Sequence, residues 1–180
     1  MVGRSTEIGL VASHLERLAG GTGGLILIEG EAGIGKTRLV EEALSRARDL
    51  GLQVLFGSAE ELEARRPFGV IADCLEIDPA SPDEGLATVG RLLLGGARSA
   101  QSAPVFVDAP AFEFRLMEAV LSLVEDLCAR APTAMAIEDL QWADPATLLV
   151  LHRLARLVPH LPLALLWTCR RFPDPRCSSI

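Results

Sequence analysis

Apolar positions along the chain fall into short continuous runs separated by longer stretches of helical spacing. Residues 6–18 carry Ile8, Val11, Leu15 and Leu18 three or four apart, which predicts an amphipathic helix. Glycines at 20–24 break that pattern, and Leu25-Ile26-Leu27-Ile28 reads as a buried strand. A glycine-rich loop follows. Leu39, Val40, Ala43, Leu44 and Ala47 then define one face of a second helix, which Gly51 ends. Val54-Leu55-Phe56 is a second strand. Residues 68–75 and 84–94 read as helices, and 97–110, small, polar and Pro-bearing, as a surface loop. The periodicity returns over 112–131, where Leu116, Val120, Leu123, Val124 and Leu127 form one apolar stripe before Pro132. Residues 133–138 make a third strand. Asp144-Pro145 is a helix start, with an acid at the N-cap and Pro at the first helical position. Residues 163–168 make a fourth strand. Strands alternating with helices predict an α/β fold, a mostly parallel sheet sandwiched between two helical layers.

Composition narrows the class. A chain of 180 residues fits one domain, 1–180, and 49% apolar content excludes disorder. The apolar runs are too short to span a membrane, and the N-terminus lacks a secretory pattern, so a cytoplasmic location is expected. The net charge of −7 argues against direct DNA binding by this segment. Cys74, Cys128, Cys169 and Cys177 have no C-x-x-C spacing and read as reduced thiols. His14, His152 and His160 are scattered and read as surface or packing residues.

Arg supplies nearly all the positive charge: among 17 basic residues the one lysine is Lys36. It lies in Gly30-Glu31-Ala32-Gly33-Ile34-Gly35-Lys36-Thr37, a full match to G-x-x-x-x-G-K-[ST] between a strand and a helix. Each residue type has a reason to be there. Glycines let main-chain N–H groups converge on a phosphate, the helix N-terminus adds its positive dipole end, Lys36 brings a point charge, and the Thr37 hydroxyl suits Mg²⁺. About 100 residues on, Glu138 and Asp139 stand at the end of the third strand, on the sheet edge where open parallel sheets bind ligands. One acid would hold the metal ion and the other orient or deprotonate the attacking water. Neighbouring strand residues face opposite ways, so the two acids share a site only if the strand is already turning. Asp144 reads as a cap and Trp142 as a packing residue. The fourth strand ends at Thr168-Cys169-Arg170, which would place Thr168 and Arg170 near a third phosphate.

These residues resemble a known family. Val2-Gly3-Arg4-Ser5-Thr6-Glu7 resembles the G-R-x-x-E box that opens the AAA-like, origin-recognition-like ATPase domain of the signal-transducing STAND class. Residues 30–37 with Arg38-Leu39 resemble its Walker A motif. Ile137-Glu138-Asp139-Leu140-Gln141-Trp142-Ala143-Asp144 resembles its extended Walker B motif, and Thr168-Cys169-Arg170 its sensor strand. The likeness is greatest to the ATPase module of large LuxR-type transcriptional regulators of actinobacteria. It implies a P-loop NTPase sandwich and an ATP-driven switch with slow hydrolysis. Gly30, Ala32, Gly33, Ile34, Gly35, Lys36, Thr37 and Arg38 would hold ATP or ADP, and Arg4 would lie near the adenine. Thr37 and Glu138 would hold Mg²⁺, with Glu138 standing where family members often have Asp. Asp139 would be the catalytic base and Arg170 the γ-phosphate sensor.

The family's strand order is 5-1-4-3-2, and the chain carries four of the five strands and no helical lid. A truncated domain is therefore expected, with the phosphate-loop strand at a sheet edge, marginal stability, self-association or contacts to other regulator subunits, and weak nucleotide affinity. Two other classes compete with the ATPase. One is a non-catalytic interaction module derived from such a regulator. The other is a GTPase or small-molecule kinase; the guanine-reading N-K-x-D motif is impossible in a chain without Asn.

Overall fold

A computed structural model describes residues 5–99 and 109–170. Helix α1 (Ser5–Ala19) leads into strand β1 (Gly24–Glu29), helix α2 (Lys36–Asp49) and strand β2 (Gln53–Ser58). After a 3-10 turn at Glu61–Glu63 come α3 (Gly69–Cys74), α4 (Glu84–Ser99) and α5 (Ala109–Arg130). Strand β3 (Thr133–Glu138), a 3-10 turn at Leu140–Trp142, α6 (Pro145–Leu157), another 3-10 turn at Val158–His160 and β4 (Leu163–Cys169) complete the described chain. All three strand pairings are parallel and the order is β1-β4-β3-β2.

Side-chain alternation builds two different layers. Ala134 and Ala136 of β3 and Ala164 and Leu166 of β4 face α1 and α2, meeting Val11, Leu15, Leu18, Leu39, Val40 and Ala43. The small alanines let those helices lie close to the sheet. Met135, Ile137, Leu163, Leu165 and Trp167 point the other way, into a larger core formed with α3, α5 and α6. β3 and β4 are buried at every position, as central strands of a doubly covered sheet should be.

The outer strands differ from the buried runs that their sequence suggests. In β1 only alternate residues are covered, and Leu25 and Leu27 are 40% and 46% exposed. Burial here follows from position in the sheet: among the described residues β1 pairs with β4 alone. Phe56 of β2, at the opposite edge, is exposed for the same reason. The surface loop expected over 97–110 is helical at both ends, since α4 runs to Ser99 and α5 begins at Ala109. Residues 100–108 lie outside the described ones.

The segment that the sequence leaves least defined is pinned from a distance. Phe68 adopts a left-handed φ of 58° just before α3, and its N–H donates to Asp144 Oδ1 at 3.0 Å. Asp144 is buried and also caps α6, accepting from Thr147 N at 2.9 Å and from Thr147 Oγ1 at 2.5 Å. The cap expected from Asp144-Pro145 therefore also ties α3 to α6. Cys74, Cys128 and Cys169 are buried; burial pushes the Cys74 and Cys128 thiols up. Cys177 lies outside the described residues.

Asp144→Ala removes three hydrogen bonds and leaves the Phe68 and Thr147 donors buried. A loss of about 2–3 kcal/mol is expected in urea unfolding, more than the roughly 1 kcal/mol of an isolated cap.

Candidate functional site

The parallel sheet brings the C-terminal ends of all four strands to one edge. The loop after β1 leaves that edge beside β4, where Gly30 N donates to Cys169 O at 3.3 Å. A Cβ on Gly30 would meet Ile34 Cγ2 at 2.8 Å, so any larger residue there would push the Ile34 side chain aside. Gly33 and Gly35 have φ of 78° and 90°, left-handed conformations that curl the chain into a concave nest of main-chain N–H groups. The loop carries the chain across β4, and α2 then rests against β2, β3 and β4.

Lys36 opens α2 and is buried, 8% exposed. Its Nζ donates to the carbonyls of Gly30 at 3.0 Å and Glu31 at 3.1 Å. An ammonium carries three donors, and these carbonyls take two of them while fixing the lysine across the mouth of the nest. Thr37, next in the helix, lies beside Glu138 at the end of β3, near enough for its hydroxyl to favour the ionised carboxylate. Glu138 is 5% exposed, and its Oε1 has no hydrogen-bond partner among the described residues. Burial raises the pKa of this carboxyl group. The Thr37 hydroxyl opposes the rise, Asp139 and Glu41 add to it, and Lys36 opposes it. A hydroxyl beside a buried carboxylate with an unpartnered oxygen is a hard-oxygen donor set that suits Mg²⁺. The nest and the lysine suit a polyphosphate. The residues present fit both groups.

Asp139 settles how two adjacent acids can share one edge. Its φ of 55° is left-handed, so β3 has already turned, and Asp139 N donates to Thr168 Oγ1 at 2.9 Å. Thr168, expected near a third phosphate, uses its hydroxyl to hold this turn. Gln141 is a residue that sequence reasoning missed. Its Nε2 donates to Asp139 Oδ1 at 2.9 Å, and its Oε1 accepts from Arg170 N at 3.1 Å. The guanidinium of Arg170 lies over the Trp142 ring, 6.0 Å from the centroid. Trp142 packs against the larger core, as a packing residue should, and also seats the arginine. The signal available in the sequence was the place of Gln141 within the motif from Ile137 to Asp144, two residues after Asp139 and next to Trp142.

Ala32 and Ile34 are exposed on the loop, and Arg38 is exposed on the first turn of α2. Arg4 lies outside the described residues. Two clefts lie elsewhere: about 320 Å³ between α1 and α2, and about 560 Å³ beside Phe68, Phe114 and Leu149. No helix among the described residues is long and apolar enough to cross a membrane.

The raised pKa of Glu138 has a signed consequence. The folded chain holds this proton at a pH where the unfolded chain has released it, so stability falls as pH rises above the ordinary carboxylate range. Glu138→Gln removes that dependence. Its thermal midpoint without metal is expected to exceed that of the unsubstituted chain at pH 7, with the gap closing near pH 4.

Comparison with known proteins agrees with this architecture. A protein of Rhizobium meliloti (strain 1021), itself uncharacterized, is 26% identical over 191 residues, which cover 94% of this chain and 18% of that protein. The ADP form of the Aeropyrum pernix ORC2 protein superposes with a TM-score of 0.56 at 18% identity, over 94% of this chain and 42% of that one. Drosophila ORC bound to DNA gives 0.53 at 20% identity, over 98% and 39%. The chain thus spans less than half the length of each of these proteins. The fold is that of P-loop AAA+ NTPases. The model of the AAA ATPase domain matches residues 1–167, nearly the whole chain, and the chain belongs to that family.

Proposed function

We propose that this domain binds ATP with Mg²⁺ between β1 and α2, hydrolyses it slowly, and serves as a nucleotide-dependent switch within a signal-responsive transcriptional regulator in the cytoplasm. The observation that carries the nucleotide reading is the contact between Thr37 and Glu138, with Lys36 folded across the same mouth. Two segments about 100 residues apart meet there, leaving a buried carboxylate oxygen without a partner. A surface loop with no ligand would have little reason to bury an acid in this way, because ionising it costs free energy. The ADP form of the Aeropyrum pernix ORC2 protein supports the nucleotide assignment. The regulatory role rests on the resemblance of the motifs to LuxR-type regulators.

In this reading the residues divide the work. The N–H groups of the nest, from Gly30 and Ala32 to Gly35, orient the phosphates, and Lys36 turns its ammonium toward the β- and γ-oxygens. Thr37 and Glu138 hold Mg²⁺, which supplies charge neutralisation on the phosphates when bound. Asp139 accepts the proton of the attacking water and returns it to solvent after the γ-phosphoryl bond to ADP breaks. Arg170 faces the charge developing on the transferred group. Arg38 and Arg4 assist with the nucleotide.

A non-catalytic interaction module is the second reading, favoured by the open edge of β1 with Leu25 and Leu27 exposed on it. Lys36→Ala separates the two. Calorimetric titration with Mg·ATP is expected to show binding by the unsubstituted chain and at least about a hundredfold weaker binding by the variant, with phosphate release at background. Absence of binding in the unsubstituted chain would leave the interaction module as the better reading.

A further inference from the structure

We propose that Gln141 is a positioning residue that clamps the end of β3 to the end of β4, so that Asp139 and Arg170 act as one unit. The inference rests on the ATPase reading above and assigns a role to a residue outside the phosphate loop and the acid pair. Gln141 sits in the 3-10 turn Leu140–Trp142 that follows the acids. Its amide makes two bonds in opposite senses: Nε2 donates to Asp139 Oδ1 at 2.9 Å, and Oε1 accepts from Arg170 N at 3.1 Å. The chemistry of the partners fixes the amide's orientation. An ionised carboxylate only accepts and a main-chain N–H only donates, so a flipped amide would lose both bonds.

The surrounding contacts make the clamp stiff. Asp139 N is held by Thr168 Oγ1 at 2.9 Å, and Trp142 N donates to Asp139 O at 2.9 Å, closing the turn. The guanidinium of Arg170 rests over Trp142, the residue next to Gln141. The two strands are neighbours, but their ladder pairing reaches only Ile137 and Trp167. Past that point the sheet no longer fixes the spacing of Asp139 and Arg170. The Gln141 side chain, the Thr168 hydroxyl and the Trp142 ring do so instead. Gln141 is the one of these three that touches both residues through hydrogen bonds.

Two variants of the full chain separate the two arms of the clamp. Gln141→Met keeps the volume and loses both hydrogen bonds. Gln141→Glu keeps an acceptor for Arg170 N, loses the donor to Asp139 and sets a second anion beside it. Calorimetric affinities for Mg·ATP and Mg·ADP are measured with steady-state phosphate release, the latter normalised to the folded fraction from circular dichroism. Both variants are expected to lower kcat about tenfold with KM for ATP changed less than about twofold. Gln141→Met is also expected to reduce the preference for ATP over ADP, whereas Gln141→Glu retains it. A purely structural role moves neither ratio once folded fraction is normalised. Unchanged or raised kcat in both variants overturns the clamp, as does an equal loss of the ATP preference in both. Those results, with an active unsubstituted chain, leave the ATPase reading intact. An unsubstituted chain whose phosphate release matches that of Lys36→Ala overturns the ATPase reading and the clamp with it.

Discussion

The meeting of Thr37 with Glu138 depends on strand order more than on either motif. Glu138 ends β3, which lies two strands away from β1, with β4 between them. Neighbouring strands are about 4.8 Å apart, so the chain leaving β1 must travel roughly 10 Å sideways before Thr37 can touch that acid. The six-residue loop over 30–35 makes the crossing, bent by Gly33 and Gly35 and braced by Lys36 on the carbonyls of Gly30 and Glu31. The same lateral step sets α2 over β2, β3 and β4, where Leu39, Val40 and Ala43 meet the alanines of the sheet.

The two sides of the sheet therefore do different jobs. On the side of α1 and α2, small residues bring the helix carrying the lysine close to the strands. On the other side, Trp167, Leu165 and Ile137 build the larger core with α3, α5 and α6. Asp144 ties α6 to the segment before α3 by one hydrogen bond, from Phe68 N, while two more from Thr147 cap its own helix; Gln141 links the strand ends by two. Each is a short polar tie where regular pairing has stopped.

Much of this was legible in the sequence because it is local. Apolar runs marked all four strands, and the helical spacing of Leu116 to Leu127 marked α5. The string from Gly30 to Thr37 announced its loop. What could not be read is what depends on partners distant along the chain. The alternation of β1 between covered and exposed residues follows from its pairing with β4 alone. The left-handed Phe68 is held by an acid 76 positions away. The ends of the expected loop over 97–110 are helical, though Pro and small polar residues suggested otherwise. The site was legible in its parts, but the contacts of Gln141 could not be read because they depend on Asp139 and Arg170 standing side by side.

The buried sulfur atoms carry a practical consequence. Cys74, Cys128 and Cys169 sit on α3, α5 and β4, and each is shielded from solvent. Alkylating reagents attack the thiolate, and burial disfavours that form at Cys74 and Cys128. Their labelling is therefore gated by transient opening of the elements that cover them. Peptide-resolved mass spectrometry of slow alkylation would clock those openings one by one, turning three buried side chains into a built-in map of where the domain breathes.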